Sequence, residues 1–132
     1  MSSRTLARIL VLFALPALAL AAEKASVGGL LKDGKKFDQK EVAVTGFVKD
    51  FQQKTSKIGN KYFNFKLKEG KDADEFVSVY SRGTLEKGLK DDAKVEVTGF
   101  FRLETKVGSY TYKNEIDCSP KEGKKFGVKE LK

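Results

Sequence analysis

The sequence predicts an all-β protein, a small barrel of five bent strands with one short helix between the third and fourth. Three observations carry this expectation. Apolar residues recur with period two in segments rich in valine, phenylalanine and tyrosine between residues 41 and 117. Stretches of glycine and charged residues separate those segments. Two of the segments share the run Val-x-Val-Thr-Gly-Phe, at Val42–Phe47 and Val95–Phe100, with a glycine where a strand must bend to turn a barrel corner. Nothing else matches between the two halves, so the echo is a local device and not a repeat architecture.

Residues 1–21 read as a secretory signal peptide. Arg4 and Arg8 form a positive start, and Ile9–Leu20 is an apolar run broken only by Pro16. Ala19-Leu20-Ala21 offers the small-x-small pattern of a cleavage site, with Ala17-Leu18-Ala19 as a second choice. The run is shorter than the roughly 20 apolar residues that cross a bilayer, so no membrane span is expected in the processed chain. The expected location is the periplasm or outside the cell.

Residues 22–40 form a lead-in segment. Val27, Leu30 and Leu31 share one helical face, Gly28, Gly29 and Gly34 limit its length, and it closes on Phe37. The barrel follows at 41–118. The first strand, Glu41–Phe51, places Val42, Val44 and Val48 on one face and Ala43, Thr45, Phe47 and Lys49 on the other. A polar loop, Gln52–Asn60, ends in Gly59-Asn60. The second strand, Lys61–Lys68, alternates Phe63, Phe65 and Leu67 with Tyr62, Asn64, Lys66 and Lys68. A charged turn leads to the third strand, Phe76–Ser81, with Val77 and Val79 inward. Thr84, Leu85 and Leu89 suggest one or two helical turns within Arg82–Ala93. The fourth strand, Lys94–Glu104, and the fifth, Tyr110–Asp117, form a hairpin around Lys106–Ser109. Residues 119–132 are lysine-rich and read as a loose basic tail, with Phe126, Val128 and Leu131 as residues able to dock.

Three strands, a helix, then two strands is the element order of the OB-fold, a five-stranded Greek-key barrel. Val42–Asp117 also resembles the exported bacterial members of the OB-fold nucleic-acid-binding group, the class related to tRNA-anticodon-binding domains. The matching elements are Val-x-Val-x-Gly-x-Val at Val42–Val48 and Gly59-Asn60-Lys61-Tyr62-x-x-Phe65. Val77-x-Val79-Tyr80 and Tyr112-x-Asn114-Glu115-Ile116 complete them. The resemblance implies the fold; the fold hosts many functions, so function has to come from the site.

The chain has 26 Lys and Arg against 18 Asp and Glu, a net charge of +8. It has no His, which excludes histidine bases, histidine metal ligands and the Ser-His-Asp and Cys-His nucleophile systems. A lone cysteine, Cys118, excludes thiolate zinc sites, CxxC redox motifs, covalent haem and an internal disulfide. Its two readings are a partly buried strand-end thiol and a cross-link between chains. Asp72-x-Asp74, in a charged turn, lacks the length and ligand number of a calcium loop. No cofactor, no metal and no enzyme activity are expected.

The outward phase of the first three strands interleaves aromatic rings with cations. Phe47, Lys49, Tyr62, Asn64, Lys66 and Tyr80, with Arg82 just beyond, form the candidate ligand face. OB-folds bind oligonucleotides and oligosaccharides there. Single-stranded nucleic acid is held by base stacking on flat rings and by cations on phosphates. Tyr62 and Tyr80 are the candidate stacking pair, Lys49, Lys66 and Arg82 the candidate phosphate partners, and Lys54, Lys57 and Lys106 lie in flanking loops. The expected partner is single-stranded nucleic acid, bound by a monomer. The alternatives are an envelope domain that binds a protein, glycan or small ligand through the same face, and a structural or stress protein of the envelope. Phe47, Phe76 and Phe100 have a competing packing role, under residues 27–37 or the tail.

Overall fold

A computed structural model describes residues 21–132. The expected signal peptide lies outside the described residues, apart from Ala21. The elements in chain order are β1 (Glu23–Ala25), α1 (Val27–Lys32), α2 (Gly34–Phe37), β2 (Lys40–Thr55), β3 (Lys61–Lys68) and β4 (Phe76–Arg82). They continue with β5 (Lys94–Val107), β6 (Tyr110–Asp117) and β7 (Gly127–Glu130). Among the described residues the fold is all-β with two short helices. One sheet joins the strands in the order β1-β2-β3-β4-β6-β5-β7, and β2 also pairs with β5. Pairing therefore runs β2–β3–β4–β6–β5 and returns to β2. All these neighbours are antiparallel except β4 and β6, which are parallel over Ser78–Tyr80 and Glu115–Asp117.

The inward phase read from the sequence is the core. Val42, Val44, Val48, Phe63, Phe65, Leu67, Val77, Val79, Val95, Val97 and Phe101 are all buried, whereas Leu103, on the same phase, is half-buried; Ile116 adds a residue that the alternation did not assign. Val27, Leu30 and Phe37 join them from the helices. α1 starts where the Ser26 hydroxyl accepts the Gly29 N–H at 2.9 Å, the usual way a serine satisfies a first-turn donor.

The echoed run has a structural cause. Its two copies pair with each other: Val42 faces Gly99, Val44 faces Val97 and Gly46 faces Val95. The copies are thus related by a local two-fold axis through the Val44–Val97 pair. Each glycine lets the next strand cross. A Cβ on Gly46 would lie 2.6 Å from the Lys68 carbonyl oxygen, and one on Gly99 would lie 2.5 Å from that of Asp117.

Three expectations are corrected. First, Arg82–Ala93 holds no helix; both helices precede β2. Gly83 and Gly88 adopt positive φ (95° and 62°), which stops helical propagation. The Gln53 side chain takes the Leu85 carbonyl at 2.7 Å and the Leu85 N–H at 3.1 Å, so that backbone has partners without a helix. Second, the strands run further than the alternation showed. β2 continues to Thr55 through a bulge between Lys49 and Gln52, with Asp50 at φ 56°. β5 reaches Val107, leaving only Gly108-Ser109 as the hairpin turn. Third, the C-terminal segment is not loose. β7 pairs with Val95–Thr98, Val128 packs on the core, and Lys124 bonds Glu41 at 2.6 Å.

Candidate functional site

Register fixes which outward side chains are neighbours. Four rows cross the face of β2, β3 and β4: Phe47–Lys68–Phe76, Lys49–Lys66–Ser78, Gln52–Asn64–Tyr80 and Lys54–Tyr62–Arg82. The bulge matters here. It shifts the phase of β2 by one residue, turning Phe51 against Phe63 and Phe65 (ring centroids 5.6 and 6.3 Å apart) and placing Lys54 beside Tyr62. Lys54 is therefore a face residue; the skipped beat from Val48 to Phe51 was the sequence signal for it.

The structure brings Tyr62 and Tyr80 together. They sit diagonally on β3 and β4, half-buried, with ring centroids 5.8 Å apart and planes tilted by 37°. Asn64 lies directly across from Tyr80 and Arg82 directly across from Tyr62. Arg82 is exposed, with its guanidinium donating to the Pro120 carbonyl at 3.2 Å and its backbone N–H to the Ser119 hydroxyl at 3.0 Å. Its charge has no carboxylate partner among the described residues.

Lys49 and Lys66 belong to the same face but are engaged. Lys49 pairs with Asp91 at 3.4 Å and Lys66 with Asp50 at 3.2 Å. The Asp50 N–H donates to Asp91 at 2.9 Å, and this bond, with the Lys49 charge beside it, holds the Asp91 carboxyl below its ordinary range. Lys66 also lies over the Phe76 ring at 4.9 Å. Phe47 stands apart. Its row is about 20 Å along β3 from Tyr62, given ~3.3 Å per residue, and the Lys71 ammonium lies 5.8 Å from its ring centre. Residues 27–37 supply Val27, Leu30 and Phe37 to the core, whereas Phe76 stays exposed.

The sequence reading passed over β6. Glu115 faces Ser78 and Asp117 faces Tyr80 on the same outer surface, while Arg102 on β5 lies across from Glu115. Burial alone would raise the Asp117 carboxyl, but bonds from Ser119 and from Arg102 (3.1 Å) outweigh it and hold the group below its ordinary range. The Glu115 side chain makes no hydrogen bond or ion pair among the described residues; burial first, then the Asp117 charge, pushes its carboxyl up, against the opposing charge of Arg102. Burial and Asp117 likewise raise the Tyr80 hydroxyl. Two carboxylates two residues apart are thus pushed in opposite directions. Only the cross-strand register could show this, because each is one charge on a polar phase.

Cys118 is fully buried, and burial pushes its thiol up to about 12. A buried, protonated thiol is unreactive, so the folded chain does not present it for a cross-link. A cavity of about 480 Å³ lies away from the tyrosines, lined by Val27, Leu31, Lys32, Glu69 and Asp74. No helix of the described residues is long and apolar enough to cross a membrane. No protein-family model matches the chain, and no curated protein matches it in sequence.

Proposed function

We propose that the chain is an exported, monomeric, non-enzymatic OB-fold module that binds single-stranded nucleic acid on the outer face of β2, β3 and β4. The fold reading is supported by the pairing order β2–β3–β4–β6–β5 with its return to β2, and by the parallel β4–β6 pair. The observation that carries the function is the Tyr62–Tyr80 pair, two aromatic rings side by side on a sheet face with cations beside them. Stacking is tolerant of sequence because every base has a π-face. Lys54 and Arg82, adjoining Tyr62, supply the phosphate contacts; Lys49 and Lys66 contribute less because each is held by an aspartate. Asp117 is taken up by Arg102 and Ser119, so the β6 carboxylates are not an acid–base couple free for catalysis.

The ion pairing of Lys49 and Lys66 favours a second reading, an envelope domain binding a protein, glycan or small ligand through the same rings. Fluorescence anisotropy with labelled oligo(dT) across salt separates the two. Nucleic-acid binding predicts a slope of log K against log salt near −0.7 per phosphate neutralised, reduced by about one contact in Lys54→Ala and in Arg82→Ala. Tyr62→Ala and Tyr80→Ala should each weaken binding by roughly 1–3 kcal/mol. Absence of oligonucleotide binding at low salt defeats the proposal and leaves the envelope-ligand reading.

A further inference from the structure

Resting on that reading, we infer that Glu115 selects the base stacked on Tyr80, favouring cytosine, whose position 4 carries an amino donor, over thymine, whose position 4 carries a carbonyl acceptor. A base lying on Tyr80 extends its edge over the neighbouring strands. On the β3 side it meets Asn64, directly across from Tyr80. On the β6 side it meets Asp117, directly across, and Glu115, one row along beside Ser78. Ser78 is the smallest side chain in its row, between Lys66 and Glu115, so little stands between the Glu115 carboxylate and the space above Tyr80.

The two carboxylates differ in what they have left to offer. One Asp117 oxygen accepts from Arg102 at 3.1 Å and the other from the Ser119 N–H at 3.0 Å. Arg102 is thereby committed to Asp117 although it lies across from Glu115. Glu115 retains its acceptor capacity, and an ionised carboxylate can only accept. A phosphate is repelled from this position. A cytosine amino group is not, because its N4–H₂ is a donor to which Asp or Glu pairs. Thymine sets its O4 acceptor at the same edge, and acceptor against carboxylate is repulsive. Asn64, which carries both a donor and an acceptor, serves either base and does not discriminate.

Glu115 is then a specificity residue, and the test compares bases that differ at that edge. Anisotropy with labelled (dC)12 and (dT)12 at pH 7 should show cytosine bound about tenfold tighter, the ratio of one good edge contact. Glu115→Ala should weaken (dC)12, strengthen (dT)12 and bring their ratio near one. Glu115→Gln, whose amide both donates and accepts, should also bring the ratio toward one, by strengthening (dT)12. Circular dichroism melts of both variants confirm that the folded chain is being compared. Binding of both oligonucleotides with equal affinity, or a cytosine preference that survives in Glu115→Ala, overturns the inference while leaving the nucleic-acid reading intact. Binding of neither oligonucleotide at low salt overturns both.

Discussion

β3 and β4 live two lives, one residue out of phase. On their inner side Phe63, Phe65, Leu67, Val77 and Val79 are at most 4% exposed. On their outer side Tyr62, Asn64, Lys66, Ser78 and Tyr80 are only half-buried. The backbone hydrogen bonds are shared by both sides, so the difference lies in the side chains alone. The inner set is apolar and almost wholly shielded from water; its removal is felt as lost stability. The outer set carries rings, amides and charges that stay partly hydrated; its removal should be felt as lost binding.

The largest effect that can break this division is at Phe65, which is 2% exposed among Val, Leu and Phe. Phe65→Ala should lower stability by about 3–5 kcal/mol in a denaturant melt, the range for truncating a buried phenylalanine. Since small domains have only about 5–15 kcal/mol in total, the variant should be close to unfolding at 37 °C. A loss below about 1 kcal/mol would mean that the inner side of β3 is not the core.

A smaller effect is expected where the strands cross. Gly99 is buried, and an added Cβ would lie 2.5 Å from a backbone oxygen that cannot swing aside. Gly99→Ala should therefore destabilise by about 1–3 kcal/mol, as overpacking does. Gly70 is the control: nothing lies within 4 Å of the position its Cβ would take. Gly70→Ala should be neutral or stabilising by up to about 1 kcal/mol, through the lower entropy of the unfolded chain. Equal melting shifts in the two variants would remove the crossing as the reason for the glycine.

Much of this division is legible in the sequence alone. Period-two alternation gave the inner residues of the first four strands of the barrel, because one buried face imposes one phase. It failed where local pattern and tertiary context part. The bulge at Asp50 reverses the phase of β2 and so brings Lys54, rather than only Lys49, onto the ring platform. The Thr84–Leu89 stretch has helical spacing, but two glycines and the Gln53 side chain settle it as turns. β7 has a short, lysine-rich sequence whose pairing depends on a free edge of β5, which no local signal reports. At the site, the tyrosine pair follows from strand adjacency. The engagement of Lys49 and Lys66 by aspartates and the opposed pair on β6 follow only from register between distant segments.

The smallest expected effect is the one that probes the outer side without any ligand. Burial and the Asp117 charge hold the Glu115 carboxyl above its ordinary range, so the folded chain keeps that proton to a higher pH than the unfolded chain does. The contribution of Glu115 is therefore fully present below the ordinary glutamate range and is lost as pH rises through its raised value. Asp117 has the opposite sign. Its carboxyl is held low, so its contribution is present above the ordinary aspartate range and is lost as pH falls through the lowered value. Glu115→Gln keeps a neutral side chain at every pH. It should be more stable than the native chain at pH 7, by no more than about 0.5 kcal/mol because solvent still screens a half-buried site, and equal to it below about pH 4. Asp117→Asn should instead be less stable at pH 7, where Arg102 and Ser119 lose a charged acceptor. Thermal melts of the three proteins between about pH 2 and pH 7 check both signs at once. A Glu115→Gln variant less stable than the native chain at pH 7 would show that Glu115 has a charged partner in the fold, and the free acceptor beside Tyr80 would be gone.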